Sequence, residues 1–151
     1  MIDWKIDRIE SAIRGENPTV ITRMKSGFAV IGDTQFLPGY CVLLGYPKVF
    51  SLNDLSPSER TDFLMDMTLI GDAIMEVYKP IRINYEILGN TDIFLHAHIF
   101  PRYEHEGEYK YHPVWNYPKD RWTEDIYQYD ELKDGALKKQ LMDKLNGLMG
   151  E

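Results

Sequence analysis

The sequence predicts a single α+β domain over residues 1–151, an antiparallel sheet of about five strands with one long helix packed on it and further helices at the ends. Three observations predict it. Short runs rich in β-branched and aromatic residues come first, bounded by turn residues. One long stretch with apolar residues at helical spacing interrupts them, and two more strand-like runs follow. No repeat, low-complexity tract or linker divides the chain, and its length suits one well-packed core.

Taken in order, Asp3–Arg14 reads as an amphipathic helix, with Ile6, Ile9 and Ile13 at helical spacing and Gly15 as its stop. Thr19–Met24 and Phe28–Ile31 read as strands joined by a Lys25-Ser26-Gly27 turn. A loop holding Asp33 and Pro38-Gly39 leads into Tyr40–Tyr46, the third strand. The clearest element is the helix from Pro57 to Lys79. Ser56 caps it, Pro57 suits its first position, and Glu59 completes a Ser-x-x-Glu capping box. Phe63, Met67, Ile70, Ile74 and Val77 make a stripe that faces a core, and Pro80 ends the helix.

Ile81–Leu88 and Ile93–Phe100 follow as strands joined by a Gly89-Asn90 turn. From Tyr103 to Tyr129 the chain is dense in tyrosine and tryptophan and shows no clean period. It reads as an ordered excursion wrapping the sheet, because disordered segments are poor in aromatics. Glu131–Met149 closes the chain as a helix with Leu137, Leu141, Leu145 and Leu148 on one side.

Composition narrows the function. A formal charge of -7 argues against broad nucleic-acid binding, which needs a basic face. It leaves room for a small anionic ligand, since a few backbone amides and one arginine can hold a phosphate. Cys41 is the sole cysteine, so neither an intrachain disulfide nor a cysteine cage for a metal can form. Its apolar surroundings read as a small buried hydrophobe rather than a reactive thiol. Met1–Lys5 lacks the basic and apolar stretches of a signal peptide, and no apolar run approaches the ~20 residues that span a bilayer. The expected setting is the cytoplasm, with neither a membrane nor a nucleic-acid partner.

The chemistry concentrates in Phe94-Leu95-His96-Ala97-His98-Ile99-Phe100-Pro101-Arg102. Alternate side chains of a strand share a face, so His96 and His98 project together, about 7 Å apart at their Cα atoms. Two imidazoles on a rigid strand offer a nucleophile, a donor to phosphate, or a pair of metal ligands. They also read simply as partly exposed strand histidines.

This stretch resembles the His-x-His-x-His-x-x signature of the histidine triad family, and its neighbours fit. Leu88-Gly89-Asn90 precedes it and Phe100-Pro101-Arg102-Tyr103 follows. Upstream, Val30-Ile31-Gly32-Asp33 and Leu37-Pro38-Gly39-Tyr40 look like the family's aspartate and Pro-Gly-His segments, and Asn53-Asp54-Leu55 fits the approach to the long helix. The resemblance covers roughly residues 28–103, about half the chain.

It implies a nucleotide phosphate hydrolase or nucleotidyl transferase. His96 would attack the α-phosphorus of a dinucleoside polyphosphate or nucleoside phosphoramidate, forming a nucleotidyl-histidine that water hydrolyses. His98 would donate to a nonbridging oxygen, Asp33 would hold the ribose hydroxyls, and Asn84 and Asn90 would contact phosphate. Each of the last three also has a plain structural reading, as turn former, strand-end partner or turn asparagine. No cofactor is required; Mg2+ can accompany a polyphosphate substrate, but no residues form a dedicated Mg2+ site. A homodimer is implied as well.

Two departures bear on turnover. Phe94 stands at the first triad position, and Tyr40 stands where the upstream Pro-Gly-His has histidine. They favour a second reading, a nucleotide-binding protein with little or no turnover. A third, metal hydrolysis with His96 and His98 as ligands, lacks a carboxylate at an obvious third-ligand spacing.

Overall fold

The structure, a computed structural model, describes residues 3–150; Met1, Ile2 and Glu151 lie outside the described residues. Its strands are β1 (Val20–Met24), β2 (Gly27–Ile31), β3 (Cys41–Gly45), β4 (Arg82–Glu86) and β5 (His96–Arg102). They form one five-stranded antiparallel sheet in the order β1-β2-β3-β5-β4. The helices are α1 (Arg8–Ile13), α2 (Pro57–Tyr78), the single turn α3 (Asp120–Thr123) and α4 (Glu131–Leu148). The expected α+β architecture is the observed one.

Strand alternation sorts the side chains between two faces. Ala29, Ile31, Cys41, Leu43, Ala97 and Ile99 face one side, against Phe63, Met67, Ile70 and Ile74 of α2 and Leu141 and Leu145 of α4. Burying side chains of this size contributes about 1.5–3 kcal/mol each. α2 begins as expected: the Ser56 hydroxyl accepts from the Glu59 amide at 3.2 Å, and the Glu59 carboxylate accepts from the Ser56 amide at 2.8 Å. It ends at Lys79, which turns left-handed at φ 54° before Pro80. On the opposite face, Phe28, Val30 and Leu44 pack under Ile9 and Ala12 of α1. His96, His98 and Phe100 project from that second face.

Four expectations shift. The first helix starts at Arg8 rather than Asp3, because Asp7 is extended and its carboxylate accepts the Glu10 amide as the cap. Ile6 therefore precedes the helix and is 78% exposed, and Ile9 with Ala12 makes the contact with the sheet. The strand expected over Ile93–Phe100 begins only at His96 and runs on to Arg102. Pro101 is tolerated because it lies past Ile99, the last residue of β5 registered with β3. Residues 87–95 form a loop rather than a tight turn, held where Leu95 donates to the Val49 carbonyl at 2.8 Å. Finally, α4 is part of the core and not an addition to it, although Leu148 is 39% exposed beyond the contact made by Leu141 and Leu145.

Candidate active site

His96 and His98 sit in the interior of the sheet, on a strand flanked on both sides. Leu44 registers with His96, while Val42 and Glu86 register with His98. His96 is 8% exposed, and its Nδ1 lies 2.7 Å from the Phe94 carbonyl oxygen. A carbonyl only accepts, so Nδ1 carries a proton, and in the neutral ring the lone pair is then on Nε2.

His98 is held by a side chain rather than by the backbone. Its Nδ1 lies 2.7 Å from the hydroxyl of Tyr40. Tyr40 is buried, its ring stacks on Phe100 at 4.4 Å, and burial raises its pKa, so the phenol stays protonated. The protonated hydroxyl can donate to Nδ1 or accept from it, according to the His98 tautomer. Burial, with the neighbouring His96 adding to it, pushes His98 down to about 4. The two imidazoles stand nearly perpendicular to each other, with ring centroids 5.0 Å apart.

Both rings open into a cleft of about 280 Å³, with Val30, Val42 and Leu44 on its floor and Asp33, Tyr40 and Phe94 around it. Asp33 is reached by α1: Arg8 donates to both carboxylate oxygens, at 2.9 and 2.6 Å. That contact raises the Arg8 pKa, and the guanidinium also lies over the Trp4 ring at 5.1 Å. The opposite wall is Trp115 and Trp122, from the aromatic excursion.

No family model matches the chain. A bis(5'-nucleosyl)-tetraphosphatase (asymmetrical) of Schizosaccharomyces pombe is 31% identical over 88 residues, covering 55% of this chain and 48% of that one. The chain thus spans about half the length of this curated relative. A histidine triad protein of Sinorhizobium meliloti superposes with a TM-score of 0.73 at 16% identity, covering 95% of this chain and 96% of that one. The chain has the histidine triad fold. Plasmodium falciparum diadenosine triphosphate hydrolase shares it at a TM-score of 0.60 and 16% identity, covering 85% of this chain and 77% of that one.

Within the histidine triad fold, the sequence-predicted residues separate into two groups. His96, His98 and Asp33 line the same cleft. Asn84 does not: its side-chain oxygen accepts from Arg102 at 2.7 Å, in a separate depression along β4. Asn90 is exposed in the loop before β5 and is not among the residues that line the cleft. Arg102 is structural, buried in a bidentate pair with Glu106. Burial opposes ionisation of Glu106, but hydrogen bonds from Arg102 and Tyr117 hold its carboxyl below the usual range. His105 stacks on Tyr103 and His112 lines the depression along β4, and neither lines the cleft. Among the described residues no third His, Cys, Asp or Glu joins the pair as a metal cluster, and no helix is long and apolar enough to cross a membrane.

The sequence reading missed Arg8, Trp115 and Trp122. Arg8 falls in a short helix with no motif of its own. The tryptophans carried a signal, their density in an otherwise polar segment, but nothing that aimed them at His98.

Proposed function

We propose that the chain is a nucleotide hydrolase that cleaves at the α-phosphate through a nucleotidyl-His96 intermediate. The observation that carries this is the bond from His96 Nδ1–H to the Phe94 carbonyl, which leaves Nε2 as a neutral, oriented nucleophile. The Nε2 lone pair forms a bond to phosphorus as the bond to the leaving group breaks and its electron pair departs with that group. Water then attacks the same phosphorus, the N–P bond breaks, and His96 is regenerated. His98 Nε2–H faces the charge that develops on the nonbridging oxygens. Asp33, with lone pairs beyond those Arg8 uses, accepts from the ribose hydroxyls. The nucleotide-hydrolysing relatives in yeast and Plasmodium support the reaction class.

The test is intact-protein mass spectrometry after brief incubation with a dinucleoside polyphosphate (with Mg2+) and, separately, an adenosine phosphoramidate. A nucleotidyl adduct or released nucleotide that vanishes in His96→Ala is the expected result. Saturable nucleotide binding with neither adduct nor turnover would instead establish a binding protein. Phe94 in place of the first triad histidine is the observation favouring that second reading. The resemblance also carries a cytoplasmic homodimer, and light scattering on the purified chain measures the assembly state.

A further inference from the structure

Asp33 and Tyr40 reach the cleft from one loop, residues 32–40, which runs from the end of β2 to the start of β3. Between them Gln35 is buried, at 6% exposure. Its Nε2 lies 3.0 Å from the Gly32 carbonyl oxygen, 3.1 Å from that of Thr34 and 3.0 Å from that of Tyr40. Its Oε1 accepts the Gly39 amide at 2.9 Å. These partners fix which way the side-chain amide points, because carbonyls only accept and a backbone N–H only donates. Two N–H groups serve three carbonyls, so one is shared.

The bonded peptide groups flank two residues. Gly32 and Thr34 are the neighbours of Asp33, while Gly39 precedes Tyr40 and the fourth bond goes to the carbonyl of Tyr40 itself. One amide therefore sets the spacing between the carboxylate in the cleft and the phenol that meets His98. Closing the loop needs less, since the Gly32 N–H already donates to the Tyr40 carbonyl at 2.8 Å. The excursion after β5 braces the same loop from outside. Tyr129 N–H donates to the Asp33 carbonyl at 2.7 Å, Gln35 N–H to the Tyr127 carbonyl at 2.6 Å, and the Thr34 hydroxyl to the Arg121 carbonyl at 2.6 Å. Those bonds end at Gln35, and its side chain carries the restraint on to Gly39 and Tyr40.

We propose that Gln35 is a positioning residue for the cleft: it holds Asp33 and Tyr40 at a fixed separation, and so sets both ribose recognition and the orientation of His98. Gln35 does not line the cleft and acts only through the two residues it places. The first half rests on the reading of Asp33 as the ribose acceptor; the second, through Tyr40 and His98, does not.

Gln35→Glu keeps the side-chain shape and an acceptor for Gly39 but sets an oxygen where the N–H groups were. In the full chain it is expected to move the His98 15N signals and to lower the preference for AMP over 2',3'-dideoxy-AMP by about tenfold, since a misplacement of about 1 Å can cost about 10²-fold. A loss of folded protein weakens both ligands equally and leaves that ratio unchanged. Thr34→Val removes a hydroxyl bond from the same loop but spares the Gln35 amide, and it is expected to keep both readouts. Equal changes in Thr34→Val, or no change in Gln35→Glu, overturn the proposal. A change in one readout alone overturns the half that the other reads. Should Gln35→Glu not fold, the wild type decides. AMP, by tying down Asp33, is expected to slow solvent exchange of the Gln35 side-chain amide protons more than 2',3'-dideoxy-AMP does, and equal exchange overturns the proposal. A wild type that binds AMP without preferring ribose overturns the reading of Asp33, and the His98 signals then support or overturn the hold on Tyr40 by themselves.

Discussion

The Tyr40 hydroxyl and His98 Nδ1 lie 2.7 Å apart and share a hydrogen bond. That bond orients the His98 ring, and it comes from a buried tyrosine whose own ring is stacked on Phe100. Tyr40→Phe is expected to keep the packing but leave a buried nitrogen unpartnered, costing about 1–3 kcal/mol of stability. With the proton free to move between the two ring nitrogens, turnover should fall by about 10²-fold. Denaturant titration reads the first effect and kcat the second. Unchanged turnover together with an unchanged His98 15N spectrum would remove Tyr40 from the mechanism.

The depressed pKa of His98 makes stability pH-dependent in a defined window. The unfolded chain takes up the proton near 6.5, whereas the folded chain resists it until about 4. The unfolded state therefore binds more protons between those values, and stability rises with pH across them. Stability is full above pH 6.5 and falls by up to about 3 kcal/mol as pH drops toward 4. Chemical denaturation of the wild type and His98→Gln at pH 4.5 and 7 isolates the contribution, and the variant should show a shallower slope. Identical slopes would mean that His98 is not held neutral.

Asp33 separates ribose recognition from structure. Asp33→Ala is expected to weaken binding of a ribonucleotide by about tenfold or more, because a hydrogen bond to a charged group is lost. A 2',3'-dideoxynucleotide should bind both proteins alike. Arg8→Ala, in contrast, should cost no more than about 1 kcal/mol of stability, since the side chains of this pair are 29% and 36% exposed. Equal losses for both nucleotides would return Asp33 to a purely structural role.

Gly32 lets the Tyr40 ring reach His98. A Cβ at Gly32 would sit 2.2 Å from that ring, which is itself buried. Gly32→Ala is expected to cost about 1–3 kcal/mol and to disturb the Tyr40–His98 contact. Lower melting temperature together with an altered His98 15N spectrum would show both. An unperturbed spectrum would mean that the backbone yields rather than the ring.

Much of this protein was legible because its signals are local. The hairpin around Lys25-Ser26-Gly27, the Ser56–Glu59 capping box and the apolar stripe of α2 follow from periodicity and turn chemistry, which depend only on near neighbours. The shared face of His96 and His98 follows from strand alternation alone. Asn84 and Asn90 did not transfer in the same way. Their proposed role came from position in a motif, while Asn84 is drawn to Arg102, a partner that only the register of β4 with β5 supplies.

The sequence by itself determined the sheet, the long helix, the pair of histidines on one face and the histidine triad resemblance. Tertiary structure decided that Tyr40 meets His98 Nδ1, that Arg8 holds Asp33, and that Trp115 stands beside His98. The physical reason is reach. Backbone propensity and periodicity act over a few residues, whereas Tyr40 meets His98 across 58 positions and Arg8 meets Asp33 across 25, contacts fixed only when the sheet assembles.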